Sequence, residues 1–176
     1  RTDTWVLDQP HAPYLSMMAV GDVEKVKVID GAVSGEVYGA QTDIKRLGGV
    51  FSRTSKMIDF YEKRFGVDYP WQGYNQIVVK DYISGAMENT GAVVFLEDID
   101  LTYQEQEVLH FDDYISHELA HHWFGNLVTC ESWANLALNE SFATYSEQLW
   151  NEYFYGQDSA DLIAQREHFQ YLVESK

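Results

Sequence analysis

The chain has 176 residues, 45% of them apolar and 15% aromatic, which suits one domain with a sizeable core and excludes a disordered composition. Its 12 basic and 28 acidic side chains leave a formal charge of −16, which argues against nucleic acid or an anionic membrane as partner. That charge suits a cationic or amine-bearing partner, although plain solubility accounts for it more simply.

One cysteine, Cys130, rules out an internal disulfide framework and leaves the compartment open, cytoplasmic or exported. No apolar run approaches the roughly 20 residues of a membrane span, and no signal peptide is visible. The opening "RTDTWVLDQP" lacks an initiator Met, and the closing "HFQYLVESK" reads as mid-helix. Both ends read as cut from a longer protein.

In chain order, residues 14–30 are rich in β-formers, and "VEKVKVI" alternates apolar with charged side chains. "DGAVSG" reads as a turn and "EVYGA" as a short strand. Residues 1–44 are therefore expected to be strands of a separate, incomplete β layer, the end of an N-terminal β domain. From Leu47 to Phe65 the apolar residues fall at helical spacing, and Gly66 closes that helix. "YNQIVVKDY" and "GAMENTGAVVF" read as strands, and "EDIDLTYQEQE" as loop. A second helix is expected from Glu107 to Phe124, with Val108, Phe111, Ile115 and Leu119 on one stripe and Gly125–Asn126 as its stop. Ser132 is placed to cap a third helix running through Glu140 to Gly156, and Ser159 a fourth.

The chemistry concentrates in "HELAHHWFGN". His117 and His121 lie one helical turn apart, so both imidazoles project from one face and suit a tetrahedral zinc ion. Glu118 can reach the open side of that metal without ligating it. A zinc ion lowers the pKa of its water from about 15.7 towards about 7, and Glu118 is the base that takes the proton and delivers it to the leaving amine. HEXXH alone recurs by chance, so a third ligand is required. Glu140 supplies one, with eighteen residues between it and His121. A helix–turn–helix of that length returns the second helix antiparallel, completing a His/His/Glu site with water fourth. His122 points about 100° away from the ligands and reads as structural. His11, His110 and His168 have no metal spacing. Cys130 reads as a small buried hydrophobe, and Trp123, Trp133 and Trp150 as core.

The ordered set GAMEN, HEXXH and Glu after eighteen residues, with "NLVT" and "LNESFA" around it, resembles the gluzincin aminopeptidases of the alanyl, or aminopeptidase N, type. The likeness runs from about residue 45 onward. The metzincin pattern is absent, since Phe124 and Leu127 stand where it needs Gly and His. The thermolysin pattern is not matched in detail, since Thr144 stands where it has Asp. The resemblance implies an α+β fold, a thermolysin-like core over residues 45–176 with a mixed sheet followed by active-site helices. It implies a zinc aminopeptidase acting on peptides with a free N-terminal amine, with His117, His121 and Glu140 as zinc ligands and Glu118 as base. Gly85, Ala86, Met87, Glu88 and Asn89 resemble the substrate-binding element, Glu88 holding the α-amine and Gly85–Ala86 pairing with the substrate backbone.

Ala137 and Ser141 depart from the Trp and Gly common in the family. Ser84 stands where a residue usually lines the first side-chain pocket, so the preferred residue is left open. The family's transition-state tyrosine falls beyond residue 176, so the isolated segment is expected to bind zinc but turn over poorly, with its missing domains as partners. A leukotriene-type epoxide hydrolase sibling and a non-catalytic zinc-bearing module remain alternatives. Intact Glu88 and Glu118 argue against the latter.

Overall fold

A computed structural model describes residues 2, 4 and 6–174. Of the termini read above as cut, Arg1, Asp3, Trp5, Ser175 and Lys176 lie outside the described residues. The fold is α+β, a five-stranded mixed sheet followed by helices. The strands are β1 (Glu24–Asp30), β2 (Ser34–Gly39), β3 (Asn75–Val79), β4 (Ala86–Met87) and β5 (Ala92–Leu96). They stand in the order β1-β2-β3-β5-β4. β1–β2 and β4–β5 are antiparallel, while β3 runs parallel to both β2 and β5.

This order corrects the expected separate layer. Val37 and Tyr38 of β2 pair with Gln76 and Ile77 of β3, so residues 24–39 extend the same sheet as residues 75–96. The apolar face of the β1–β2 hairpin explains why: Ile29 and Val37 are buried, and they join the same core as Val78 of β3, Val93 and Phe95 of β5 and the buried faces of the helices. Residues 16–23, expected to be part of a strand, have no regular structure.

The helix expected over 47–65 is two helices, α1 (Ile44–Val50) and α2 (Thr54–Phe65). Gly48 and Gly49 weaken the end of α1, and Phe51 leaves the helix to lie wholly buried against Phe95. α2 buries Met57, Ile58 and Tyr61 at helical spacing and ends at Gly66, whose left-handed φ of 70° suits a residue without Cβ. "GAMENTGAVVF" is also two elements, the edge strand β4 returning through residues 88–91 into β5.

Three further helices complete the chain: α3 (Asp112–Ala120), α4 (Ala137–Tyr155) and α5 (Gln157–Glu174). α3 is shorter than the stripe suggested. Val108 lies outside it and is 79% exposed, because residues 105–107 form a separate 3-10 turn. Asp112 fixes the start of α3. It is wholly buried, accepts hydrogen bonds from Arg53 Nη1 (3.1 Å), Trp150 Nε1 (3.2 Å) and the Tyr155 hydroxyl (2.8 Å), and complements the helix dipole. Tyr61 ties α2 to α4 by donating to the Ser146 carbonyl (2.9 Å).

Other expectations at the helix ends fail locally. Ser132 makes no capping bond to backbone. Its hydroxyl accepts from Asn135 Nδ2 (3.2 Å) at the start of a 3-10 turn, Trp133–Asn135, that precedes α4. Ser159 lies inside α5 and donates to Asn151 Oδ1 (3.3 Å). Trp123 and Trp150 are core, whereas Trp133 is 63% exposed, and Cys130 is only half-buried. Among the described residues no helix is long and apolar enough to cross a membrane.

Candidate metal and substrate site

α3 and the turn after it carry His117, Glu118 and His121, and the first turn of α4 carries Glu140. Packing α4 against α3 brings three donors together. His117 Nε2 and His121 Nε2 are 3.0 Å apart, and Glu140 Oε2 lies 3.5 Å from the first and 3.6 Å from the second. Three donors each about 2.0–2.1 Å from one tetrahedral ion would be about 3.3–3.4 Å apart, so this triangle fits zinc.

The outer nitrogens support the same fit. His117 Nδ1 lies 2.7 Å from Glu147 Oε1, and His121 Nδ1 lies 3.0 Å from the Phe124 carbonyl. Both partners only accept, so the ring protons belong on Nδ1 and each Nε2 presents a lone pair to the shared point. Gly125 makes room for this turn. Its φ is 133°, and a Cβ there would stand 3.1 Å from His121 Nδ1.

The surroundings favour positive charge between the rings. Burial works against a His117 cation, but the bonds to Glu140 and Glu147 outweigh it and push the ring up to about 10. His121 is raised as well, burial again being opposed chiefly by Glu140. Glu140, bonded to both rings, is held well below the usual carboxylate range.

Glu118 behaves differently. It is 7% exposed, and burial pushes it up to about 7 against the pull of His117 and His121. Its Oε2 is buried and has no hydrogen-bond partner among the described residues. A carboxylate held high beside a metal-fitting triangle, with one oxygen uncommitted, can exchange a proton with a molecule placed there.

Glu88 enters from the other wall. One of its oxygens, one of Glu118's and a His121 nitrogen all lie within 4.8 Å of one another. The Glu88 backbone is fixed by Asn126 Nδ2, which donates to its carbonyl (2.9 Å). Asn89 is committed to the scaffold, since its Nδ2 donates to the Leu15 carbonyl (3.2 Å). Ala86 and Met87 form the edge strand β4, one side of which is unpaired in the sheet order. The Gly85 carbonyl accepts from Leu96 N (2.8 Å), and a Cβ on Gly85 would meet the Tyr114 hydroxyl at 2.6 Å.

Sequence reasoning did not single out Glu147, Asn126 or Asn139 for the site. Glu147 was within reach of it: it stands seven residues after Glu140, two helical turns along the same face. Asn126 reads as a helix stop and as the first residue of "NLVT", and nothing local shows that its amide reaches Glu88.

His122 is wholly buried against Tyr69 and Tyr74. Its Nδ1–H donates to the Glu118 carbonyl (3.2 Å) and its Nε2 accepts from Gly91 N (3.0 Å). Burial drops it to about 3, so it stays neutral.

The Peptidase family M1 domain matches residues 50–175. Among curated proteins the chain is 38% identical over 137 residues to "Probable aminopeptidase 1" of Sulfurisphaera tokodaii, covering 75% of this chain and 17% of that protein. It is 35% identical over 139 residues to "Endoplasmic reticulum aminopeptidase 2" of Bos taurus, covering 76% and 15%. It is 36% identical over 145 residues to "Leucyl aminopeptidase" of Saccharolobus solfataricus, covering 75% and 17%. The chain thus spans about one-sixth of the length of these relatives.

Proposed function

The chain belongs to peptidase family M1, a metallopeptidase family, and from that premise we propose that it is the catalytic core of a zinc aminopeptidase. The observation that carries this reading is the convergence of His117 Nε2, His121 Nε2 and Glu140 Oε2, with the uncommitted Glu118 Oε2 and the Glu88 carboxylate beside them. His117, His121 and Glu140 would hold one zinc ion. When bound, zinc supplies Lewis acidity, polarising a carbonyl and lowering the pKa of water towards about 7.

The remaining steps belong to this chain's own residues. Glu118 accepts a proton from the attacking water as its oxygen adds to the peptide carbonyl carbon. It then returns that proton to the amine nitrogen as the C–N bond breaks. Burial raises its pKa above the usual carboxylate range, which favours its holding the proton between the two transfers. Glu88 pairs with the substrate's α-ammonium, so only the first peptide bond reaches Glu118. The unpaired side of β4 offers backbone for an extended substrate to pair with.

Comparing a free aminoacyl anilide with its N-acetyl form, in the full-length protein, tests the reading. The free-amine substrate is expected to have a kcat/KM at least about 30-fold higher, the effect of losing one buried charged partner. Equal rates on both would remove the exopeptidase assignment.

A further inference from the structure

Residues Pro13–Leu15 form one 3-10 turn, distant in sequence from every residue of the site, yet it touches both of the site's walls. On one side the buried Leu15 offers its carbonyl to Asn89 Nδ2 (3.2 Å) and to Thr90 N (3.3 Å), directly after Glu88. On the other, the Tyr14 hydroxyl accepts from Asn139 Nδ2 (3.2 Å), directly before Glu140. The Tyr14 ring also meets Trp133 edge-on, with centroids 5.0 Å apart, at the entrance to α4.

Asn139 is the link that gives this contact meaning. It is wholly buried, and its Oδ1 accepts from Cys130 N (3.2 Å) while its Nδ2 is held by Tyr14. Leu136 stands at the N-cap of α4 and makes no side-chain capping bond. The helix turn that carries Glu140 is therefore steadied by the two bonds of Asn139 rather than by an N-cap. Burial raises the Tyr14 phenol to about 12, and Glu88 and Glu140 both add to that rise, so both carboxylates act on it.

We propose that the Pro13–Leu15 turn is a brace between the Glu88 segment and the first turn of α4, with Tyr14 as the positioning residue for Glu140. Its catalytic meaning rests on the function proposed above. Leu15 anchors the Glu88 side through backbone, and Tyr14 anchors the Glu140 side through one hydroxyl. The turn thereby holds the amine-binding carboxylate and the third metal donor at a fixed separation.

Tyr14→Phe tests it, because the ring stays against Trp133 and only the hydroxyl is lost. In the full-length, zinc-free protein, amide hydrogen exchange at Cys130, Asn139 and Glu140 is expected to quicken about three- to tenfold, with other amides unchanged. The zinc Kd is expected to rise about tenfold, and the visible spectrum of the cobalt-substituted protein to shift as Glu140 moves. Unchanged exchange at those amides, or an unchanged zinc Kd and cobalt spectrum, overturns the brace. A uniform quickening across the chain overturns it too, by reducing Tyr14 to general stability. Local quickening in a protein that binds no zinc even as wild type supports the brace and instead sinks the peptidase reading.

Discussion

His121 and His122 are chain neighbours at the end of α3, both buried, and they face opposite environments. His122 points into the aromatic core between Tyr69 and Tyr74, with one nitrogen donating to Glu118 O and the other accepting from Gly91 N. Among the described residues no carboxylate is bonded to it, and burial, helped by the neighbouring His121, holds it neutral against the bond to the Glu118 carbonyl. His121 points to the site, uses only Nδ1 within the scaffold, and turns Nε2 towards His117 and Glu140. The difference shows that burial does not decide what a histidine does. The partner of the second nitrogen and the sign of the nearby charge decide it.

Glu118 joins the two faces, since its carbonyl accepts from His122 in the core and its side chain lies in the site. Glu118→Gln keeps the shape and the bond to His122 but cannot take a proton. It is expected to lower kcat about 10²- to 10⁴-fold while zinc content stays at one per chain. Undiminished turnover would remove Glu118 as the base.

Glu147→Gln probes the site face one layer out. Its carboxylate is the acceptor that sets the His117 tautomer. Zinc affinity, followed by competition with a chelator, is expected to fall about 10- to 100-fold. No change would mean that the negative charge of Glu147 is not needed, since the glutamine oxygen can still accept from His117 Nδ1–H.

His122→Ala probes the core face. It leaves Gly91 N and a cavity between Tyr69 and Tyr74, so denaturant unfolding should show a loss of about 2–4 kcal/mol with zinc stoichiometry unchanged. Ser132→Ala should be the smallest effect, within about 0.5 kcal/mol, because its hydroxyl caps no helix. A loss near 1 kcal/mol would restore it as a cap.

Much of this was legible in the sequence because it depends on local periodicity. His117, Glu118, His121 and Glu140 are placed by helix geometry and one antiparallel return, and His122 by its angle on the same helix. What was not legible depends on long-range pairing. The β1–β2 hairpin joins the main sheet through Val37 and Tyr38, and its alternating pattern would serve an isolated layer equally well. Phe51 breaks the long helix because the core has a place for it against Phe95, which spacing cannot show. Tyr14 and Asn139 meet across 125 residues, and although Asn139 lies in "LNESFA", nothing in that stretch points to Tyr14.

The most direct measurement is the zinc content of two variants of the full-length protein, His121→Gln and His122→Gln, purified in parallel and assayed by elemental analysis. The account predicts about one zinc per chain in His122→Gln and none in His121→Gln. Equal retention or equal loss in the two folded variants would contradict it.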